Sequence, residues 1–287
     1  MPLVTLAEVL QAADAGGYAV GAFNCNNMEI VQAIINAAAA AGAPVIIQAS
    51  QGAIKYAGLE YITSLVRTAA SQVPVPVVLH LDHGTDFNQV LRCLRAGFTS
   101  VMLDGSKYPL EENITLTRKV VEIAHAMGAS VEGELGRIGG TEEQIKVSER
   151  EATMTDPEEA QRFAQETGVD ALAIAIGTAH GRYHGTPKLD FDRLAAIDRL
   201  VPTPIVLHGS SGVPDDDIRR AVERGVRKIN IDTDIRIAFV EATRAALAAN
   251  PDEIDPRKVL GPAREAAMKV ISHKMQVFGC AGKAAGR

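Results

Sequence analysis

Two kinds of segment alternate along this chain. One is short, apolar and rich in β-branched residues. The other is longer, with apolar residues recurring at helical spacing. The short runs, in order, are AVGAFN ending at Asn24, PVIIQAS ending at Ser50, PVVLHLD ending at Asp82, and TSVMLD ending at Asp104. ASVEGEL around Glu134, DALAIAIG ending at Gly177, PIVLH ending at His208 and RKINID ending at Asp232 follow. Helical spacing fills Glu29 to Ala41, Asn88 to Ala96, Glu111 to Met127 and Pro157 to Thr167. Gly42, Gly97, Gly128, Gly168 and Gly225 each stand between a helical run and the next strand. Glycine there accepts the left-handed conformation that closes a last helical turn. This beat of helix, glycine and strand predicts parallel βαβ units.

Eight such strands are the number that closes a barrel, so the expected fold is α/β, a (β/α)8 TIM barrel. An open doubly wound sheet is the rival that strand counting leaves standing. No composition shift or Pro/Gly/Ser-rich linker divides the sequence, and residues 1–287 read as one domain. Gly261 to Phe278 reads as an extra C-terminal amphipathic helix. Two connections are long and polar: Gly136 to Asp156, which carries a Gly-Gly, and TAHGRYHGTPKLDF after the sixth strand. Loops of that length are usually functional lids or disordered.

Composition narrows the partners. The formal charge is −6 and no run is rich in Lys and Arg, so nucleic acid is not an expected partner. A phosphorylated ligand would need donors placed locally. Cys25, Cys93 and Cys280 are far apart and form no CxxC pair, which argues against a disulfide scaffold or a thiolate metal site. The opening MPLVTLAEVL has no charged stretch before a long apolar run, and no segment is long enough to span a bilayer. A cytoplasmic protein without a membrane partner is expected.

The polar residues fall where the strands end: Asn24, Ser50, Asp82-His83, Asp104, Glu134, His180, His208 and Asn230. In a parallel barrel those ends share one rim. His83, His180 and His208 would converge there, and three imidazoles leave a catalytic zinc ion open to substrate. A single histidine at a loop start is more often a hydrogen-bonded loop residue; three on one rim beside carboxylates favour a metal. Of the other histidines, His125 and His273 read as structural or surface, His80 as support from below, and His184 has no assigned role. Neighbouring strand residues face opposite sides, so Asp82 is cast as an acid/base and not as a ligand beside His83. Asp104 and Glu134 could hold a second or alternative metal or hydrogen-bond the rim. Gly181, the segment from Gly209 through Ser210 and Ser211 to Gly212, and Asn230-Ile231-Asp232-Thr233 suit a phosphate. Small residues there let it approach backbone N–H groups and a helix start. Asn24 and Ser50 complete the rim.

The segments GAFNCNN, HLDHG, FTSVMLDGS, VEGELG, AIGTAHGRYHG, VLHGSSGVP, KINIDTD and DPRKVLGPAREA resemble class II fructose-bisphosphate aldolases, in the shorter branch shared with tagatose-bisphosphate aldolases. The resemblance spans essentially the whole chain. It implies that His83, His180 and His208 bind catalytic Zn2+, with Asp104 and Glu134 at a second or alternative divalent position. Asp82 matches the acid that protonates the aldehyde oxygen in condensation, and Glu142 the mobile carboxylate that moves the substrate proton. Gly181, Gly209 to Ser211 and Asn230 to Thr233 match the site for dihydroxyacetone phosphate and a monovalent cation, Na+ or K+. Arg257 matches an arginine reaching the distal phosphate, from its own or a neighbouring subunit. The implied reaction is cleavage of fructose 1,6-bisphosphate into triose phosphates in glycolysis and gluconeogenesis, by a homodimer or homotetramer. The metal ion stabilises an enediolate, and the glycine-flanked loop closes over it. Many members carry Gly-Gly-Thr-Gly or Gly-Gly-Ser-Gly after the third histidine; here Gly209-Ser210-Ser211-Gly212 stands. Tagatose-type members often read Gly-Ala-Ser-Asp, so Gly212 leans toward the fructose epimer, with tagatose or a related ketose phosphate as the alternative. A Schiff-base aldolase would need a buried strand lysine. Lys228 is the candidate, although an ion pair with a barrel carboxylate is the preferred reading. A barrel that only binds sugar phosphate would need neither Asp82 nor Glu142.

Overall fold

The computed structural model describes residues 3–142, 145–148, 152–183 and 185–284. The strands are β1 (Val20–Asn24), β2 (Val45–Ser50), β3 (Val77–Gly84), β4 (Ser100–Leu103), β5 (Ser130–Leu135), β6 (Gly139–Glu142), β7 (Ile145–Val147), β8 (Ala171–Ile174), β9 (Ala179–His180), β10 (Ile205–Leu207) and β11 (Val226–Ile231). The helices are α1 (Leu6–Gly16), α2 (Met28–Ala41), α3 (Gln51–Ala57), α4 (Leu59–Ser71), α5 (Phe87–Ala96), α6 (Leu110–Ala126), α7 (Pro157–Thr167), α8 (Phe191–Leu200), α9 (Asp215–Glu223), α10 (Thr233–Ala249) and α11 (Pro256–Val277). Eight strands close a parallel barrel in the order β1-β2-β3-β4-β5-β8-β10-β11, and β11 pairs back onto β1. Closure removes the open sheet from consideration.

The helix-closing glycines behave as the pattern predicts: α2, α5 and α7 end on Gly42, Gly97 and Gly168 in the left-handed region. Each strand also presents apolar residues outward to the helices. Val45, Ile47, Leu79, Leu81, Val131 and Ile229 are all fully buried. The residues between them face the barrel interior, and there the layer is polar. Gln48, His80, Ser100, Glu132 and Lys228 are each 0% exposed. A barrel interior of this kind is usually filled by branched apolar side chains.

Three expectations change. The sixth strand ends at Ile174, short of Gly177, because the carbonyls of Ala175 and Ile176 accept from Thr155 and Asp190 instead of a neighbouring strand. The polar gap from 136 to 156 contains a hairpin: β6 pairs antiparallel with β7 and parallel with β9. The C-terminal helix begins at Pro256 rather than Gly261. Asp255 accepts from the Arg257 N–H and Pro256 occupies the first turn, where its missing N–H costs nothing. Helix α11 packs on α2 and α10, burying Ala267, Ile271 and Met275. Among the described residues no helix is long and apolar enough to cross a membrane.

Candidate active site

Asp82 lies in β3, fully buried, paired with Ser50 of β2. Its carboxylate is held by amides. Asn24 Nδ2 donates to Oδ2 at 2.7 Å, Gln48 Nε2 to the same oxygen at 3.2 Å, and Asn230 Nδ2 to Oδ1 at 3.3 Å. Gln48 also donates to Asn24 Oδ1 at 2.6 Å. Strand register makes this cradle, since Asn24 pairs with Gln48 and Asn230 with Ala22 on adjoining strands.

His83 breaks the strand alternation. Its φ of 47° is the one positive value at a non-glycine among the described residues, a conformation costing about 1–3 kcal/mol. The β3–β4 register shifts between Leu81 and Gly84. The twist turns His83 toward His180 and His208, whose ring centroids lie 5.1 and 4.7 Å away. Nitrogen atoms of the three rings all fall within 4.8 Å of one another.

Carboxylates fix the ring tautomers. His83 Nδ1 is 3.0 Å from Asp104 Oδ2, and His208 Nε2 is 2.7 Å from Glu132 Oε1. A carboxylate oxygen only accepts, so each of those nitrogens carries the hydrogen. Asn230 Nδ2 also lies 3.2 Å from His208 Nε2, but the closer Glu132 oxygen decides the tautomer. The remaining nitrogens, His83 Nε2 and His208 Nδ1, face each other at 2.9 Å. Two lone pairs cannot stabilise each other at that distance. Burial pushes His208 below the ordinary histidine range, which disfavours an imidazolium there. With both rings neutral, a divalent cation that accepts both lone pairs would resolve the conflict, and neutral imidazole donors with carboxylate partners suit zinc.

Asp104 and Glu134, with His83, form a second buried group that could hold an ion. Burial alone would raise Asp104, but hydrogen bonds from His83 and two from Ser106 hold it well below the usual carboxylate range. Lys228 has the predicted ion-pair partner: its Nζ lies 2.9 Å from Glu132 Oε2 and donates to Asn230 Oδ1 at 2.7 Å.

Beside the imidazoles a cavity is lined by Asn24, His180, Gly181, the loop Gly209-Ser210-Ser211, and Asn230, Asp232, Thr233 and Arg236. The loop is fastened to the start of α10, where the Asp234 N–H donates to Ser211 Oγ at 3.2 Å. Tyr183 ties two rim loops together, accepting from Ala179 N and donating to Gly209 O, both at 2.7 Å; burial pushes its phenol up to about 12. Glycine is required at 209: a Cβ there would meet the Ala179 backbone at 2.6 Å.

Most expected residues therefore gather at one mouth. Ser50 is there as the cap of α3, accepting from Ala53 N at 3.1 Å. Ile231 is buried and contributes backbone position only. Glu142 ends β6, next to the β6–β9 pairing that carries His180. Arg257 stands apart: it is 89% exposed, paired with Asp255 at 2.8 Å, and absent from the cavity lining. His125 and His273 are exposed and paired with Asp170 and Asp215, and His184 lies outside the described residues. Sequence reading missed Gln48, Glu132, Tyr183 and Arg236. The last lines the cavity and pairs with Asp232 at 2.6 Å.

A model of the class II fructose-bisphosphate aldolase family matches residues 4–283. The chain is 48% identical to a fructose-bisphosphate aldolase of Thermus caldophilus across 98% of this chain and 100% of that one. It is 45% identical to a protein of Bacillus subtilis named probable fructose-bisphosphate aldolase, across 99% and 100%. Among solved structures, the YdjI aldolase of Escherichia coli K12 superposes with a TM-score of 0.85 at 32% identity, covering 98% of this chain and 99% of that one. Fructose-bisphosphate aldolase of Campylobacter jejuni superposes at 0.83 and 27% identity, covering 98% and 97%.

Proposed function

We propose the following reaction for this chain, which belongs to the class II fructose-bisphosphate aldolase family: reversible aldol cleavage of fructose 1,6-bisphosphate to dihydroxyacetone phosphate and glyceraldehyde 3-phosphate. The enzyme is a lyase of glycolysis and gluconeogenesis, cytoplasmic, acting as one domain over residues 1–287. Two relatives named for the fructose substrate, at 48% and 45% identity over nearly the whole chain, support that substrate.

The observation that carries the reading is the convergence of three imidazoles, with ring nitrogens of His83, His180 and His208 all within 4.8 Å of one another. His83, His180 and His208 would hold Zn2+, with Asp104 and Glu134 available to a second divalent ion. When bound, the zinc ion supplies Lewis-acid stabilisation of charge developing on the ketose oxygens. The rest falls to the chain. Backbone N–H groups of the 209–211 loop and the start of α10, with Arg236, bind one phosphate, and Na+ or K+ accompanies it. Asp82 takes the hydroxyl proton in cleavage and returns it to the aldehyde oxygen in condensation. Glu142 moves the carbon-bound proton.

Arg257 reaches the distal phosphate from a neighbouring subunit. That role accords with its absence from the cavity of its own chain. The homodimer or homotetramer has a basis in Val240, Leu247 and Ile254, apolar residues left 43%, 42% and 93% exposed around α10.

Chelation tests the reading. A chelator should abolish cleavage, and zinc or cobalt should restore it. Chelator-resistant activity with borohydride trapping of substrate would reverse the choice toward a Schiff base. Lys228 argues against that chemistry, being fully buried and committed to Glu132 and Asn230. Assaying both bisphosphates on one metal-loaded preparation decides the epimer.

A further inference from the structure

The barrel interior below the rim holds a cation and an anion where apolar side chains would serve stability at least as well. Lys228 of β11 and Glu132 of β5 meet across the barrel, both 0% exposed. Glu132 divides its two oxygens: Oε2 takes Lys228 Nζ at 2.9 Å, and Oε1 takes His208 Nε2 at 2.7 Å. Lys228 also donates to Asn230 Oδ1 at 2.7 Å. That bond fixes which end of the Asn230 amide faces Asp82, whose Oδ1 accepts from Asn230 Nδ2 at 3.3 Å. His80 stands beside Glu132, its Nδ1 2.8 Å from Ser100 Oγ and its Nε2 3.6 Å from Glu132 Oε2.

We infer that Lys228 and Glu132 are positioning residues: one buried cation orients both the metal-binding His208 and the proton-transferring Asp82. Without an anion at Glu132, His208 has no reason to place its hydrogen on Nε2, and its Nδ1 lone pair no longer faces His83. Without Lys228, that anion is uncompensated in a fully buried place, and Asn230 can turn its amide. Neither residue touches substrate in this scheme. Each acts through a neighbour, as carboxylates behind metal-binding histidines do elsewhere.

The inference rests on the proposed metal reading, and two measurements separate their failures. The first is zinc affinity of the full-length protein, by competition with a chromophoric chelator. If the unmodified protein does not bind zinc tightly, or His208→Ala leaves binding intact, the metal reading fails. The second is the ring 15N spectrum of His208 in metal-free protein, which reports the tautomer without any metal. The Nε2–H form is expected in the unmodified chain. The double variant Glu132→Leu/Lys228→Met replaces the pair with apolar volume and should stay folded by circular dichroism. It should bind zinc about 10–100-fold more weakly and lose the uniform Nε2–H tautomer. If it does not fold, Glu132→Gln keeps the volume, and the same weaker affinity and mixed tautomer are expected. Unchanged affinity and tautomer in a folded variant would make the pair merely structural and overturn the inference.

Discussion

Asp82 is surrounded by amides rather than by a cation, an arrangement that suits the proposed exchange of a proton with substrate. Asp82→Ala should lower turnover by about 10²–10⁴, while inorganic phosphate still inhibits competitively at similar concentration. Equal loss of both would reduce Asp82 to a structural residue. A second expectation comes from His80 and His208. Burial lowers both from the ordinary histidine range, His80 far below it with the charge of Lys228 adding to the effect. Both rings stay neutral in the folded chain while unfolded imidazoles take up protons. Stability is then fully present above the unfolded histidine value and falls as pH drops through it. The slope is up to about 1.4 kcal/mol per pH unit for each ring. The melting temperature of metal-free protein should therefore fall between about pH 7 and about pH 5, and His80→Phe should flatten the slope. Sequence reading found the strand-end residues of this site because strand ends share a rim. It passed over Gln48 and Glu132, each two residues before a chosen one, at Ser50 and Glu134. Period two puts such pairs on one face, so the deeper layer was within reach of the same rule. The left-handed twist at His83 was not legible, since nothing in HLDHG marks the histidine rather than the glycine as the residue with positive φ.

At the scale of elements, helices such as α2, α5 and α7 and the barrel strands after them were readable because a glycine cap and apolar periodicity agree there. The 136–156 segment was not. Its sequence is polar, and the β6–β7 pairing lies outside the barrel ladder, so no apolar run marks it. Its pairing with β9 nevertheless bears on the site. Gly140 stands opposite His180 with φ of 102°, and a Cβ there would meet the His180 carbonyl oxygen at 2.2 Å and its nitrogen at 2.7 Å. Those are backbone atoms and cannot swing aside. Gly140→Ala should push β6 off β9 and displace the His180 ring. Zinc affinity should drop severalfold or more in chelator competition. The barrel should hold, because none of its ladder bonds is involved, so far-ultraviolet circular dichroism should match the parent. Unaltered zinc affinity would mean that β6 does not position His180.

For the whole molecule, the question is how stability and chemistry share one barrel. The eight-strand count anticipated the closed barrel, but not how the C-terminal helix is fastened to the outside of β1. Phe278, just past α11, is fully buried and stacks on Phe23 of β1, with ring centroids 6.5 Å apart. Its carbonyl accepts from Ala19 at 3.0 Å, immediately before β1 begins. This contact belongs to the entry end of the strand, whereas Asn24, at the exit end, reaches Asp82. Barrels of this architecture keep stability at the entry face and chemistry at the exit face. Phe278→Ala removes a buried ring and leaves a cavity, a change that costs about 3–5 kcal/mol. The urea midpoint of unfolding should fall accordingly. Zinc affinity and the Michaelis constant should stay within about twofold of the parent under native conditions, since 1.4 kcal/mol of coupling would already be tenfold. A large loss of zinc affinity in folded Phe278→Ala protein would show that the C-terminal helix controls the mouth of the barrel as well as bracing the outside of β1.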